Sequence, residues 1–305
     1  MRAKLMTESP QNYLFPFHGA MLDPVAFSFQ GIWGTLCDTT MPDEHLENFW
    51  VASAANMLRL KSLDHTRRTY KNDDTISNLR SASSHRIQFT TNLRETFSRV
   101  KGVSDCFKPQ GYVTERIGQF AAIGALGRLP ATFYWSTIVA AHGYRPECST
   151  LCRQIIEQIA WALRIESIDD ESYWSIQPQS CVGSTKTYFP RAAKIYGLLS
   201  EAAHIHPTET RKYFEVIGSV SKITYSREVL PGYAAVLAEL ADMYSCACEI
   251  VLNGLGLPAS NIEIDRDQLR LKDTREVRKW ADEVILWALE IDRDETIRFF
   301  PDSDH

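Results

Sequence analysis

Apolar residues recur every three or four positions along most of this chain of 305 residues, which is the spacing of one face of an α-helix. The stretch from Glu147 to Ile165 shows this best, because its apolar residues cover one half of the predicted helix. The stretch from Pro231 to Leu255 is apolar nearly all round, which is typical of a helix in the centre of a core. The pattern predicts an all-α fold, a multi-helix bundle.

Proline and glycine residues set the boundaries of the other predicted elements. Helices are expected at Asp43–Leu63, Thr75–Val100, Val113–Leu126, Ala131–His142, Tyr188–His206, Thr208–Ser221 and Asp273–Leu289, and a short hairpin at Ile262–Leu271. The stretch Glu166–Phe189 shows no periodicity and is expected to be a long loop. Residues 1–41 are expected to form an irregular N-terminal arm that packs its aromatic side chains on the rest. We divide the chain into an N-terminal arm and helical segment, 1–108, and a helical bundle domain, 109–305.

The predicted helix Tyr188–His206 carries two distinct faces. Its apolar face comprises Ile195, Leu198, Leu199 and Ala202. A separate stripe of small and polar residues comprises Ala193, Gly197, Ser200 and His204. Small residues at this spacing let another helix approach closely, so we expect Ser200 and His204 to lie in a packed seam between two helices.

Two pairs of polar residues form the first candidate catalytic site. Arg153 and Glu157 are one helical turn apart, and so are Ser200 and His204. If the two helices face each other, a guanidinium, a carboxylate, a hydroxyl and an imidazole converge. Arginine can hold an anionic group and histidine can move protons near neutral pH. The structural alternative is a surface ion pair and a histidine that favours the negative end of its helix.

The elements Arg153-x3-Glu157 and, about 40 residues later, Tyr196-x2-Leu199-Ser200-x3-His204 resemble a pattern in all-helical prokaryotic proteins of the HEPN superfamily. The resemblance covers Arg145 to Tyr225. It implies a helical bundle of the kind found in toxin–antitoxin and phage-defence proteins. Many members of that superfamily are metal-independent ribonucleases, and others are inactive binding modules.

The nuclease motif of that superfamily is an arginine followed, four to six residues later, by a histidine. Three pairs match it, about as many as chance produces: Arg80 with His85, Arg59 with His65, and Arg298 with His305. Only Arg80 is followed by a polar residue, as in the motif. In such a motif the histidine would shuttle a proton for attack by a 2′-hydroxyl, and the arginine would stabilise the phosphate.

A basic segment runs from Arg59 to Lys101, with ten Lys or Arg against four Asp or Glu, in a chain whose net charge is -5. Such a segment suits an anionic partner, and the candidate nucleic-acid-binding residues are Arg67, Arg68, Arg80 and Arg86. The alternative is a solvated surface that meets the acidic parts of its own fold.

Five aromatic residues are candidates for stacking on nucleic-acid bases: Tyr134, Trp135, Tyr173, Trp174 and Tyr188. Aromatic residues at helical spacing more often belong to a core.

The seven cysteines form no disulfide framework. Cys148, Cys152, Cys246 and Cys248 could be combined with His204 and His206 as zinc ligands, but no C-x2-C pair exists, and core cysteines are favoured. We predict no metal or other cofactor. No signal peptide is recognised at the N-terminus, and the longest uncharged stretch, Leu129–Tyr144, is 16 residues, too short for a membrane span of about 20. The chain is expected to be cytoplasmic.

Together these features predict a cytoplasmic prokaryotic helical module of a phage-defence or toxin–antitoxin system. It would act through protein or nucleic-acid contact, with a protein partner or a second copy of itself, with nucleic acid reached through residues 59–101, and without a membrane. The alternatives are a metal-independent ribonuclease of the HEPN type and a small-molecule-binding helical regulator with its pocket under residues 166–189.

Overall fold

The structure is a computed structural model that forms two compact units, Met1–Ser83 and Ser84–His305. It describes residues 24–29, 32–38, 44, 47–48, 51–52, 55, 59, 62–70, 84–107, 116–204, 214–217, 220–223, 229–253, 255, 259–265 and 268–301. The helix that follows Ser83, assigned from sequence to the N-terminal segment, belongs to the second unit.

The described residues of the first unit form an antiparallel ladder and helical segments. Strand β1 (Pro24–Phe29) pairs with β2 (Ile32–Asp38), and helix α1 spans Leu63–Tyr70. The described residues between 44 and 55 are helical, in agreement with the helix predicted there. Apart from the two strands, the predicted N-terminal arm lies outside the described residues.

The second unit is a helical bundle, which confirms the all-α prediction. Its helices are α2 (Ser84–Phe107), α3 (Ile117–Ala141), α4 (Arg145–Ile165), α5 (Ala192–Ala203), α6 (Pro231–Val251), α7 (Glu276–Ile291) and α8 (Arg293–Phe299). Nearly every residue of α6 is buried, and α6 contacts α2, α3, α4, α7 and α8. A helix with apolar residues on all sides can bury them only by being surrounded. Among the described residues, no helix combines the length and the apolar character that a membrane span needs.

Helix α3 is one continuous helix, so the two helices predicted on either side of Pro130 are a single element. Pro130 lies inside α3 and is buried. A proline in a helix interior removes one backbone hydrogen bond. The apolar neighbours Leu126, Leu129 and Phe133 are fully buried, and this packing outweighs the local preference to end the helix.

The connection between α4 and α5 is folded, contrary to the long loop predicted for Glu166–Phe189. It consists of three short helical turns at Glu171–Ser175, Pro178–Cys181 and Val182–Thr187. Tyr173, Cys181, Val182 and Phe189 are buried and belong to the main core. Turns this short give no periodic signal, so the sequence pattern could not reveal them.

The described residues of the second unit include two hairpins that lie between its helices. Strands β5 (Ile262–Asp265) and β6 (Gln268–Leu271) pair antiparallel, which confirms the hairpin predicted there. Strands β3 (Phe214–Ile217) and β4 (Val220–Ile223) also pair, so the helix predicted at Thr208–Ser221 is wrong in its described part. The β-branched residues on either side of Gly218-Ser219 are the hairpin signal that the helical interpretation overlooked.

Buried charges tie α6 to the start of α7. The guanidinium of Arg275 donates two hydrogen bonds to Asp242, with Nε–Oδ1 3.0 Å and Nη2–Oδ2 2.9 Å. Arg278 bonds Glu239 at 2.6 Å and also Asp282. Asp242 is 1% exposed and Glu239 is 5% exposed, so these carboxylates depend on their arginine partners in place of water.

Candidate functional site

Three of the four predicted catalytic residues meet where α4 packs against α5. Arg153 and Glu157 lie one turn apart on α4, and Nε of Arg153 donates to Oε1 of Glu157 at 2.9 Å. His204 caps the C-terminus of α5, and its Nε2 lies 3.0 Å from Nη1 of Arg153. A guanidinium, a carboxylate and an imidazole therefore form one connected group, which we call the Arg153–His204 cluster.

Tyr196 is the fourth member of the Arg153–His204 cluster. Its hydroxyl donates to Oε1 of Glu157 at 2.7 Å, and the guanidinium of Arg153 lies 5.5 Å from the centre of its ring. Tyr196 belongs to the sequence pattern given above but was not among the predicted catalytic residues. Its position one turn before Ser200 on the same helix was the signal that could have identified it.

Ser200 does not take part in the Arg153–His204 cluster as predicted. Its hydroxyl donates to the carbonyl oxygen of Tyr196 at 2.8 Å, one turn earlier in α5. This is a common bond for serine within a helix, and it occupies the only proton that the hydroxyl has. Ser200 is half-buried in this arrangement.

The predicted close seam along Gly197 is absent from the described structure. Gly197 is exposed, and a Cβ placed on it would have no atom of the described residues within 4 Å. The face of α5 that packs is the apolar one, where Ile195, Leu199 and Ala202 are buried as predicted. The small residues at 193 and 197 therefore lie beside the helix contact, and His204 is exposed.

Burial differs across the Arg153–His204 cluster. The side chains of Arg153 and Glu157 are 26% and 18% exposed, and that of His204 is accessible. Burial, together with the hydrogen bond to Glu157, raises the pKa of Tyr196, so its hydroxyl keeps its proton near neutral pH. A guanidinium carries only donors, so Nε2 of His204 must accept from Arg153.

The four arginines predicted to bind nucleic acid fall in different parts of the chain. Arg67 lies in the first unit, where it bonds Glu47 at 3.0 Å, Asn48 at 2.8 Å and Asp64 at 3.4 Å. Arg68 is exposed on the same helix, and Arg86 lies in α2 of the second unit. Arg80 lies outside the described residues.

Several charges of the basic segment meet acidic residues of the same fold. Arg99 forms an ion pair with Glu95 at 2.8 Å, and Lys101 bonds Asp105 at 2.7 Å. These pairs, with those of Arg67, match the alternative that the segment is partly neutralised within the protein.

The remaining arginine–histidine pairs are only partly described. His85 and His65 are exposed, as is Arg59. Arg298 is exposed near Glu201, with 4.0 Å between Nη2 and Oε2. Arg80 and His305 lie outside the described residues, so two of the three pairs have one described member.

The five candidate aromatic residues divide between core and surface. Tyr134 and Tyr173 are buried and Tyr188 is half-buried, as expected of core residues. Trp135 and Trp174 are 53% and 72% exposed. Each contacts its buried tyrosine neighbour: Trp135 meets Tyr134 edge-on, and the rings of Tyr173 and Trp174 are tilted with 4.8 Å between their centres.

The cysteines considered as zinc ligands are core residues. Cys148, Cys152, Cys246 and Cys248 are buried, and the sulfurs of Cys148 and Cys152 are 3.9 Å apart. Burial raises the pKa of Cys148, Cys246 and Cys248, which keeps them as thiols, whereas zinc binds thiolates. The described residues contain no group of three or more potential metal ligands, and His206 lies outside them.

A cavity of about 370 Å³ is lined by Arg164 and by residues of the connection between α4 and α5. The small-molecule regulator with a pocket under residues 166–189 stays a prediction. Its polar lining comprises Arg164, Ser175, Gln177, Ser180 and Ser184. Arg164 lies on the same stripe of α4 as Arg153 and Glu157.

No protein-family model, no curated protein and no solved structure matches this chain. The candidate site must therefore be judged on its own geometry.

Proposed function

We propose that this protein is a metal-independent ribonuclease whose active site is the Arg153–His204 cluster. The observation that supports this proposal is the 3.0 Å contact between Nη1 of Arg153 and Nε2 of the accessible imidazole of His204. A guanidinium beside a neutral imidazole combines a binding group for a phosphate with a base for the 2′-hydroxyl next to it.

Glu157 and Tyr196 would position the arginine. Glu157 holds Nε of Arg153, and the ring of Tyr196 lies near the guanidinium, so the terminal nitrogens are directed to the side where His204 lies. Holding the guanidinium in advance lowers the cost of orienting it when the phosphate binds.

The reaction would begin when a phosphate oxygen replaces Nε2 of His204 as the partner of Arg153. The freed Nε2 takes the proton of the 2′-hydroxyl, and the 2′-oxygen forms a bond to the adjacent phosphorus. The bond from phosphorus to the 5′-oxygen of the next nucleotide breaks, and that oxygen takes a proton from water. The products are a 2′,3′-cyclic phosphate and a free 5′-hydroxyl, and the imidazolium returns its proton to solvent.

The test is cleavage of a single-stranded RNA by the full chain in excess EDTA. We expect cleavage by the unaltered protein and a loss of about 10²-fold or more in rate in His204→Ala, which is the usual contribution of a general base. His85→Ala is the matched control, because His85 is also exposed and belongs to the other motif. Loss of activity in His85→Ala alone would move the active site to α2.

A second candidate is a contact module of a phage-defence or toxin–antitoxin system that binds RNA or protein without cleaving it. The observation that favours it is that Glu157 already neutralises Arg153 and that the Ser200 hydroxyl is bonded within its own helix. This candidate is supported over the nuclease if the protein binds RNA in the same assay without cleaving it and Arg153→Ala no longer binds it.

A further inference from the structure

The cavity lined by Arg164 and by residues of the connection between α4 and α5 has the chemistry of an anion site. It measures about 370 Å³, within the range of small-molecule sites. Its one charged lining side chain among the described residues is Arg164, and no carboxylate lines it there. Arg164 forms no ion pair with any of the described residues, and hydroxyl and amide groups line the cavity beside it. A guanidinium in that setting favours a phosphate or carboxylate ligand.

The hydroxyls around Arg164 can serve a bound anion. Ser175, Ser180 and Ser184 each donate to a backbone carbonyl three residues earlier, at 2.7 Å. A hydroxyl proton rotates to suit its partner, so an anion can draw these donors toward itself without a backbone change. The side-chain amide of Gln177 adds two further donors.

An exposed aromatic residue directly precedes one of the lining residues in the chain. Trp174 immediately precedes the lining residue Ser175, and it is 72% exposed. The rings of Tyr173 and Trp174 are tilted by 31° with 4.8 Å between their centres, and Tyr173 in turn contacts Trp161 edge-on. A supported ring with one open face is a platform for a nucleic-acid base.

We propose that this cavity is a nucleotide-binding site, in which Arg164 binds the phosphate and Trp174 stacks on the base. The proposal does not depend on catalysis at the Arg153–His204 cluster. Arg164 is eleven residues after Arg153 on the same stripe of α4, which places the two arginines about 16 Å apart along the helix axis. The ligand is therefore a free nucleotide or one unit of a strand that also passes the Arg153–His204 cluster.

The test is calorimetric titration of the full chain at low salt with three probes: AMP, adenosine and inorganic phosphate. We expect AMP to bind more tightly than either of the others. Arg164→Gln should lower the affinity for AMP by about tenfold and leave the affinity for adenosine unchanged. Trp174→Ala should lower the affinity for both ligands by about tenfold. Arg128→Gln, an exposed arginine on α3, is the matched control and should change nothing.

A single-stranded oligoribonucleotide distinguishes the two sources of the ligand. If the oligonucleotide displaces AMP and binds less tightly to Arg164→Gln, the site binds one nucleotide of an RNA strand. An oligonucleotide that leaves AMP bound identifies a free nucleotide as the ligand. Absence of AMP binding, or AMP binding that Arg164→Gln leaves unchanged, overturns the proposal. His204→Ala should not affect AMP binding, so failure of the ribonuclease proposal would not be mistaken for failure of this one.

Discussion

Nη1 of Arg153 lies 3.0 Å from Nε2 of His204, although the two residues are 51 positions apart and belong to different helices. The contact joins the centre of α4 to the C-terminal end of α5. Glu157 and Tyr196 complete it from the other side, where a single carboxylate oxygen accepts from both the arginine and the tyrosine. An accessible imidazole next to a held guanidinium is the basis of the proposed activity.

Arg153→Lys tests whether activity requires the planar guanidinium of Arg153 or only its positive charge. Lysine keeps the positive charge but cannot contact Glu157 and a phosphate through one planar fork. We expect RNA cleavage to fall by more than about tenfold, while the free energy of unfolding changes by less than about 1 kcal/mol, because the pair is partly exposed. Rate measurements and thermal unfolding of the same preparation check this. Full activity in Arg153→Lys would mean that only charge is needed there.

Asp242→Ala should lower the free energy of unfolding more than a change at the surface does. It would leave Arg275, which is 8% exposed, without the carboxylate that accepts its two hydrogen bonds. Breaking a buried pair of this kind costs about 3–5 kcal/mol. The matched control is Asp265→Ala, which removes an exposed partner of Arg270 and should cost less than about 1 kcal/mol. Denaturant unfolding measures both, and equal costs would show that the Asp242 pair is not structural.

Gly118→Ala and Gly127→Ala should have opposite effects although both change α3. A Cβ on Gly118 would lie 2.6 Å from the carbonyl oxygen of Ile168, which also accepts from the backbone N–H of Gly118. Overpacking of this kind costs about 1–3 kcal/mol. A Cβ on Gly127 meets no atom of the described residues within 4 Å, so alanine there should stabilise the helix by up to about 1 kcal/mol. Thermal unfolding that ranks the two variants the other way would contradict the packing of α3 on the end of α4.

Arg68→Glu tests the basic segment as a nucleic-acid surface. Arg68 is exposed, whereas Arg67 is held by Glu47 and Asp64, so a glutamate at 67 would disturb the fold as well as the surface. If the segment contacts phosphates, RNA affinity of the unaltered protein falls linearly with the logarithm of salt concentration, and Arg68→Glu reduces the slope by about one. If RNA binding changes neither with salt nor with this substitution, the basic segment does not bind phosphates, and the alternative of an internally neutralised surface holds.

The sequence predicted the long helices, whose hydrophobic pattern repeats over several turns. The amphipathic pattern at 147–165 and the all-apolar pattern after Pro231 located α4 and α6, because burial of a helix face leaves a signal that repeats every turn. Pro130 predicts a helix boundary because its local cost is visible in the sequence, whereas the packing of α3 that outweighs this cost depends on residues distant in the chain.

The candidate site was predicted in part for the same reason. The spacing within α4 and within α5 placed Arg153 with Glu157 and located His204, but spacing within a helix does not show which neighbouring face it meets. Gly197 therefore suggested a packed seam that the described structure does not have, and Ser200 was assigned a role although its hydroxyl bonds to its own helix. The polar cavity at Arg164 depends on short turns that carry no period.

The most direct test of the ribonuclease proposal is an oligodeoxynucleotide that contains a single ribonucleotide, incubated with the full chain in excess EDTA and analysed by mass spectrometry. The proposal predicts one cut, immediately 3′ of the ribonucleotide, with a 2′,3′-cyclic phosphate on the upstream product. It also predicts that His204→Ala loses the cut by about 10²-fold while its Tm stays nearly unchanged. A His204→Ala protein that cuts at the unaltered rate, or an all-deoxy strand that is cut equally well, would contradict it.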